Sequence, residues 1–233
     1  MKYLIIGNGA VARNISSYFT SVNMDLVYWH KSSKINLAKL VHDIDIVFLA
    51  ISTSSLQNIF EQYPCLNKLQ CIHFSGSYYS KNILGMHPLM SFPKDRLLEL
   101  KTLQSMSFGI DFPLTQFNSV FPMLKNPIVE INPKDKIYYH FLCVMSGNFS
   151  KYLWEFVKNE FNTKFGDSHH LDEYLKRTME EILDENRNFT GPLERRESDL
   201  IDEYDHYLTE KINLKNMLKV FKDFRREEFH EIR

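Results

Sequence analysis

Residues 2–19 read KYLIIGNGAVARNISSYF. Four apolar residues, 3–6, run straight into Gly7-Asn8-Gly9, and Val11, Ile15, Tyr18, Phe19 and Val22 then recur at helical spacing. The stretch therefore reads as a buried strand, a tight turn and an amphipathic helix. Gly7 permits the turn out of the strand, Gly9 leaves the backbone bare, and the small Ala12 lets helix and strand pack closely. Gly7, Asn8, Gly9, Ala10, Val11 and Ala12 fit G-x-G-x-x-A, in the context that pattern requires. A helix head of this kind offers free N–H groups and a positive dipole end to a pyrophosphate. These six residues are candidate dinucleotide-binding residues.

The chain continues in the same alternating style. MDLVYWH, from Met24, reads as a second strand, and LAKLVHDI as a short helix. DIVFLAIS is a continuous apolar strand of the kind buried on both faces of a parallel sheet. SLQNIFEQY reads as a helix stopped by Pro64, and QCIHFSGS as a fourth strand. Region 81–133 holds six prolines and short strands such as MSFGIDF and PIVEI. Strands alternating with short helices predict a parallel, doubly wound sheet.

After Pro133 the pattern becomes helical. One long helix is predicted from Lys134 to Phe161, with a wide apolar face of Ile137, Phe141, Val144, Met145, Phe149, Tyr152, Phe156 and Val157. Helices are expected at about 169–186, 198–211 and 214–230, with Ser198 and Asn213 as N-caps. The expected architecture is α/β: a Rossmann-like parallel-sheet domain over 1–133, then an all-helical substrate and dimerisation domain over 134–233. Tyr138, Phe141, Trp154, Phe156, Phe161, Tyr204, Phe221 and Phe224 supply its core, and some of them a homodimer seam.

Composition narrows the functional classes. With 44% hydrophobic and 24% charged residues and a net charge of −1, the chain looks like a soluble globular protein with no bias toward nucleic acid or membrane. No apolar run approaches a membrane span, and the N-terminus lacks a cleavage site that fits a signal peptide. Three cysteines without C-x-x-C spacing predict reduced thiols, no metal site and a cytoplasmic location.

Cofactor choice is read at the end of the second strand. NAD sites usually carry an acidic residue there. This chain has His30-Lys31-Ser32-Ser33, which suits a 2′-phosphate, so NADP is expected over NAD. Other strand ends should line the same crevice: Ile51 and Ser52 after the third strand, Ser75, Gly76 and Ser77 after the fourth, with Ser77 placed toward substrate. His87, expected just after the fourth strand, could hold or protonate a substrate oxygen. Gly147 interrupts a strong helix beside Asn148 and Lys151, which share a helix face. His87, Asn148 and Lys151 are the candidate catalytic residues. Arg195, or Arg196, in TGPLERRESD suits a carboxylate substrate by bidentate pairing.

The segments GNGAVA (7–12), HFSGS (73–77), HPLMSF (87–92), SGNF (146–149) and TGPLERRESD (190–199) occur in an order that resembles a family of short Rossmann-like NADP-type oxidoreductases with a helical C-terminal domain of uncharacterised function. That family sits in the group of ketopantoate reductase, pyrroline-carboxylate reductase, prephenate dehydrogenase and the 6-phosphogluconate dehydrogenase-like enzymes. The resemblance implies NADPH-dependent reduction of a small 2-oxo acid, ketopantoate first. It implies an imine or cyclic acid as the alternative, and pairing through the helical domain. Ketopantoate reductases carry a catalytic Lys four residues before an Asn; with Asn148 in the Asn position, the Lys position here is Val144. A nucleotide-binding sensor without catalysis is the third reading.

Overall fold

The structure is a computed structural model; it describes residues 1–184, 191–192, 195 and 197–228. These fall into two compact units, Met1–Phe156 and Val157–Arg233. The first is built on a seven-stranded sheet: β1 (Lys2–Ile6), β2 (Asp25–Trp29), β3 (Ile46–Leu49), β4 (Gln70–His73), β5 (Leu84–Pro88), β6 (Phe108–Ile110) and β7 (Ile128–Glu130). The strand order is β2-β1-β3-β4-β5-β6-β7. The expected parallel sheet holds from β2 to β5; β5 and β6 pair antiparallel, with Met86 opposite Ile110, and β7 returns parallel to β6. The sheet is thus mixed: the connection over residues 89–107, which contains a short helix, brings the chain back along β6 in the opposite direction.

Both faces of the sheet are covered, which is why its central strands read as unbroken apolar runs. On one face Tyr3, Ile5, Phe48, Ile72, Met86 and Phe108 pack under α1 (Ala10–Ser21), through Ala12, Ile15, Tyr18 and Phe19. Phe48, fully buried, is the hub: its ring lies 5.0 Å from Phe19, 5.7 Å from Phe74, and 5.8 Å from both Tyr3 and Phe121. On the other face Leu4, Ile6, Val47, Leu49 and Cys71 pack under α2 (Leu37–Leu40), α3 (Thr53–Leu56) and α4 (Ile59–Gln62). The single helix expected over SLQNIFEQY is split at Gln57–Asn58 into α3 and α4. Buried Asn126 is fully hydrogen-bonded. Asn126 accepts from Tyr18 Oη at 2.5 Å and donates to the carbonyls of Leu103 and Met106 at 2.9 Å, tying α1 to α5 (Leu100–Ser105).

α6 (Leu114–Val120) joins β6 to β7, and a short 3-10 turn then leads into α7 (Lys136–Val144). The one long helix expected here is broken: residues Met145–Phe149 form a π turn, after which α8 (Ser150–Phe165) runs on into the second unit. Gly147, the residue that weakens the helix, lies in that turn. α7 is also rotated relative to expectation. Lys136, Tyr139, His140 and Cys143, at i, i+3, i+4 and i+7, form the stripe turned to the sheet and its cleft. The apolar stripe does not form the core: Ile137 is 68% exposed, Phe141 50% and Tyr152 68%. β5 carries glycine and charge-binding positions on this side, so the face it offers α7 is polar.

The second unit contains the rest of α8, α9 (Asp172–Leu183), α10 (Ser198–Tyr207) and α11 (Ile212–Glu228). Glu197, not Ser198, is the N-cap of α10, and Asn213 lies inside α11. Lys158 pairs with Asp172 at 2.5 Å and Lys211 with Glu160 at 2.6 Å, exposed pairs worth little individually. Trp154, Phe156 and Phe161 are half-buried, and Tyr204 is exposed; the expectations for the Phe221 and Phe224 side chains lie outside what is described.

Replacing Phe48 by Ala removes the hub of five mutually packed rings. The expected loss is about 3–5 kcal/mol, read as a lower urea midpoint.

Candidate active site

The head of α1 has the geometry its sequence implies. Gly7 has φ +148°, a backbone conformation L side chains rarely adopt, and a Cβ there would run into the carbonyl of Ala50. Glycine is therefore required by both torsion and space. Gly9 is the N-cap of α1, where no side chain caps the helix, and a Cβ at Gly9 would meet nothing within 4 Å. Ala12 is fully buried against the sheet. The result is an uncapped helix N-terminus facing open space at the carboxyl edge of the sheet.

Two clefts flank it. The larger, about 660 Å³, is lined at one end by Gly9, Ala10, Val11, Ile51 and Ser52 and at the other by Ser75, His87, His140 and Asn148. The smaller, about 230 Å³, is lined by Gly7, Asn8, Trp29, His30, Lys31, Ser32 and Ile51. Ile51 belongs to both, so the clefts meet across the end of β3. Asn8 accepts a hydrogen bond from Tyr28 Oη at 3.0 Å, which fixes the turn. Lys31 is exposed and makes no ion pair among the described residues. Ser75 Oγ bonds Thr53 Oγ1 at 2.9 Å, linking the ends of β3 and β4.

The remaining sequence candidates separate. Gly76 is buried and lines neither cleft; its missing side chain makes room for His140 and for His87, whose Nε2 would stand 3.0 Å from a Cβ. Ser77 lines neither cleft. Lys151 does not line the larger cleft, but its Nζ donates to Oγ of Ser91, which does, at 3.0 Å. Arg195 lies in the second unit, where its Nε donates to Glu197 Oε1 at 2.5 Å; Arg196, its alternative, lies outside the described residues. His87 is not in a loop after β4 but within β5, a strand whose alternation is obscured by Gly85 and Pro88.

Beneath His87 lies a polar cluster that the sequence reading missed. Lys136 Nζ donates to Asp111 Oδ2, with both side chains at most 2% exposed. Asp111 Oδ1 also accepts the backbone N–H of Gly85 at 2.5 Å, and a Cβ at position 85 would collide with both members of the pair. One turn on, Tyr139 Oη lies 3.0 Å from His87 Nδ1. In β4, His73 is fully buried; its Nδ1 accepts the N–H of Ser75, and its Nε2 has no hydrogen-bond partner. Burial holds His73 down to about 4, helped by the Lys136 charge and the His87 ring and opposed by Asp111. Burial, then His140 and Lys136, hold His87 down to about 4. Burial lowers Lys136 itself, with Asp111 opposing. Two lone residues 25 positions apart gave no local signal; only the β5–β6 reversal brings them together.

The comparisons agree with this architecture. Residues 113–224 match the family DUF2520, described as a domain of unknown function. A Bacteroides fragilis protein, BF3122, provisionally termed an NADP oxidoreductase, has the same fold at TM-score 0.74 and 12% identity, over 97% of this chain and 98% of that one. Pyrroline carboxylate reductase from Plasmodium falciparum, solved with NADP bound, is similar at TM-score 0.56 and 17% identity, over 98% and 97%. An imine reductase from Myxococcus stipitatus, in complex with NADP⁺, is similar at TM-score 0.61 and 10% identity, over 99% and 94%. At these identities the likeness is one of fold. No curated protein sequence matches the chain. Among the described residues no helix is long and apolar enough to cross a membrane, and no group of three His, Cys, Asp or Glu could hold a metal.

Stability should fall in acid for a stated reason. Above pH 6.5 both histidines are neutral in either state, so neither contributes a slope. Below 6.5 the unfolded chain gains protons that the folded chain refuses until about 4. Each group then costs the fold about 3 kcal/mol by the lower end of that window. In urea titrations from pH 7 to about 4, His87→Gln is expected to remove about half of that decline; an unchanged decline contradicts the burial argument.

The ion pair gives a second expectation. Lys136→Met leaves Asp111 charged and buried, at a cost of about 3–5 kcal/mol, whereas Lys136→Met with Asp111→Leu restores most of the loss, read by thermal unfolding.

Proposed function

We propose that the chain is an NADPH-dependent reductase acting on a small molecule with a C=N or C=O bond. The observation that carries the reading is the uncapped head of α1, opening at Gly9 onto a cleft whose far wall is His87, His140 and Asn148. The residues fit a dinucleotide. The bare N-terminus suits the pyrophosphate, and the smaller cleft suits the adenosine end, with Lys31 and Ser32 for a 2′-phosphate. No acidic side chain lies at the end of β2 to hold the ribose of NAD. The NADP bound by the pyrroline carboxylate reductase and by the imine reductase supports the same choice.

When bound, the reduced nicotinamide supplies a hydride. This chain's residues supply the rest: Ser52 and Ser75 are small enough to leave room at the strand ends, and His87 and Asn148 offer polar atoms to the substrate. Lys151, braced by Ser91, stands at the rim. The walls of the larger cleft carry neither Lys, Arg, Asp nor Glu among the described residues. Such a neutral wall favours an imine over a 2-oxo acid, and two of the structural relatives reduce C=N bonds by name. Ketopantoate, put first by the resemblance in size and layout, becomes the second reading, since the Lys–Asn spacing of its reductases is broken here at Val144. The exposed apolar stripe of Ile137, Phe141 and Tyr152 supports a homodimer formed through these helices.

Trp29 lines the smaller cleft, so NADPH binding is expected to quench its fluorescence. NADPH should bind at least about tenfold more tightly than NADH, Lys31→Ala should erase the difference, and Gly9→Asp should abolish binding of both. Absence of binding by the wild-type protein would sink the reading. A panel of pyrroline-carboxylate, other cyclic imines, ketopantoate and further 2-oxo acids, followed by NADPH oxidation, then decides the substrate class. Sedimentation velocity with and without Phe141→Glu tests the dimer.

A further inference from the structure

His87 stands on the cleft wall, and its neighbours decide which of its nitrogens holds the proton. Tyr139 Oη is 3.0 Å from Nδ1, the two rings meeting edge-on at 88°. Burial pushes the Tyr139 phenol up, so it keeps its proton and can donate it. The acceptors within reach are the His87 ring nitrogen and the Cys143 thiol. A nitrogen lone pair accepts far better than sulfur. With the phenol as donor to Nδ1, the one proton of a neutral imidazole sits on Nε2.

His87 lines the larger cleft, and its Nε2 edge fits against Gly76 only because that residue lacks a side chain. A Cβ at Gly76 would stand 3.0 Å from Nε2 and 3.1 Å from Cδ2, and glycine supplies none. His73 on the neighbouring strand follows the same logic, its Nδ1 occupied by the Ser75 N–H. The titratable groups around His87 are His73 from β4 and Lys136, Tyr139 and His140 from α7, with Asp111 behind Lys136 as its partner. The nearby Lys136 charge and the His140 ring disfavour a second proton on His87, and burial disfavours it more.

We propose that His87 serves the reduction as a neutral imidazole, its Nε2–H donating a hydrogen bond to the substrate's carbonyl oxygen or imine nitrogen. Tyr139 is the positioning residue that fixes the tautomer, while burial of the ring, with His140 and Lys136 beside it, keeps it uncharged. The proposal rests on the reductase reading above. In the step itself a hydride, with its two electrons, passes from a reduced nicotinamide to the substrate carbon. The π pair of the C=O or C=N bond moves onto oxygen or nitrogen, and that atom takes a proton from solvent water. His87 lends its hydrogen bond to the developing negative charge and keeps its proton throughout, as a preorganised donor can.

The first readout needs no cofactor. Long-range ¹H–¹⁵N correlation spectra of ¹⁵N-histidine-labelled protein report tautomer and charge ring by ring, and His87→Gln assigns the signal. The expected result is the Nε2–H tautomer of His87, unchanged from pH 8 to about 5. An Nδ1–H tautomer, or a titration midpoint at about 6 or above, overturns the proposal. Tyr139→Phe should mix the two tautomers and lower kcat about tenfold with KM held within about twofold. A folded Tyr139→Phe protein with wild-type spectrum and kcat also overturns it, and should that variant not fold, the wild-type spectrum alone decides. Failure of NADPH to bind would instead remove the reductase reading and leave the spectrum as it is, so the two failures are distinguishable.

Discussion

A lysine amine and an aspartate carboxylate held out of water beneath a strand set the terms for the first unit. Such a pair survives only if its remaining hydrogen-bonding capacity is met and its geometry is tight. The Gly85 N–H meets one carboxylate oxygen, and the absence of a side chain at Gly85 gives the amine its place. The pair anchors the first turn of α7 to the sheet. Helical periodicity then carries Tyr139 and His140 to the level of His87, and Cys143 to the cleft wall. A polar stripe on a helix is ordinarily its solvent side; here the ion pair turns that stripe inward.

The consequences spread outward through electrostatics. A positive charge in a region of low polarizability acts on every titratable ring near it. His73 and His87 lie on adjacent strands above the same amine, and burial first, with that charge adding to it, keeps both uncharged. The cleft is therefore a place of dipoles rather than of full charges at this end, while the other end has the partial positive charge of a helix head. Such an arrangement suits a ligand whose anionic groups gather at one extremity and whose reactive part is neutral.

How much of this was legible in the sequence depends on whether each signal was local. The opening strand, turn and helix, and the apolar runs of β3 and β4, announce themselves within a few residues, because burial on both faces demands unbroken apolar side chains. Ile51, Ser52 and Ser75 followed as strand ends. β5 did not announce itself, since Gly85 and Pro88 stand where alternation would show, yet that glycine is what the ion pair requires. Nor did the orientation of α7. The chain offers an apolar stripe and a polar one, and apolar burial is the safer guess unless one knows that Asp111 waits on the sheet. The break at Gly147 was visible as a weak point but not as a change of helix type. Tyr139, the closest partner of His87, gave no signal of its own, because a tyrosine in an aromatic-rich helix looks like packing.

The π turn at Met145–Phe149 has a mechanical meaning. It accommodates one residue more than an α-helical turn, so the azimuth of the first turn of α8, Lys151 included, is set back by about 100° relative to an unbroken helix. Removing one residue from this segment would leave the anchored stripe of α7 in place while swinging Lys151 away from Ser91. The turn is in effect a rotary vernier, through which the rim of the cleft can be re-aimed by chain length alone while its floor stays still.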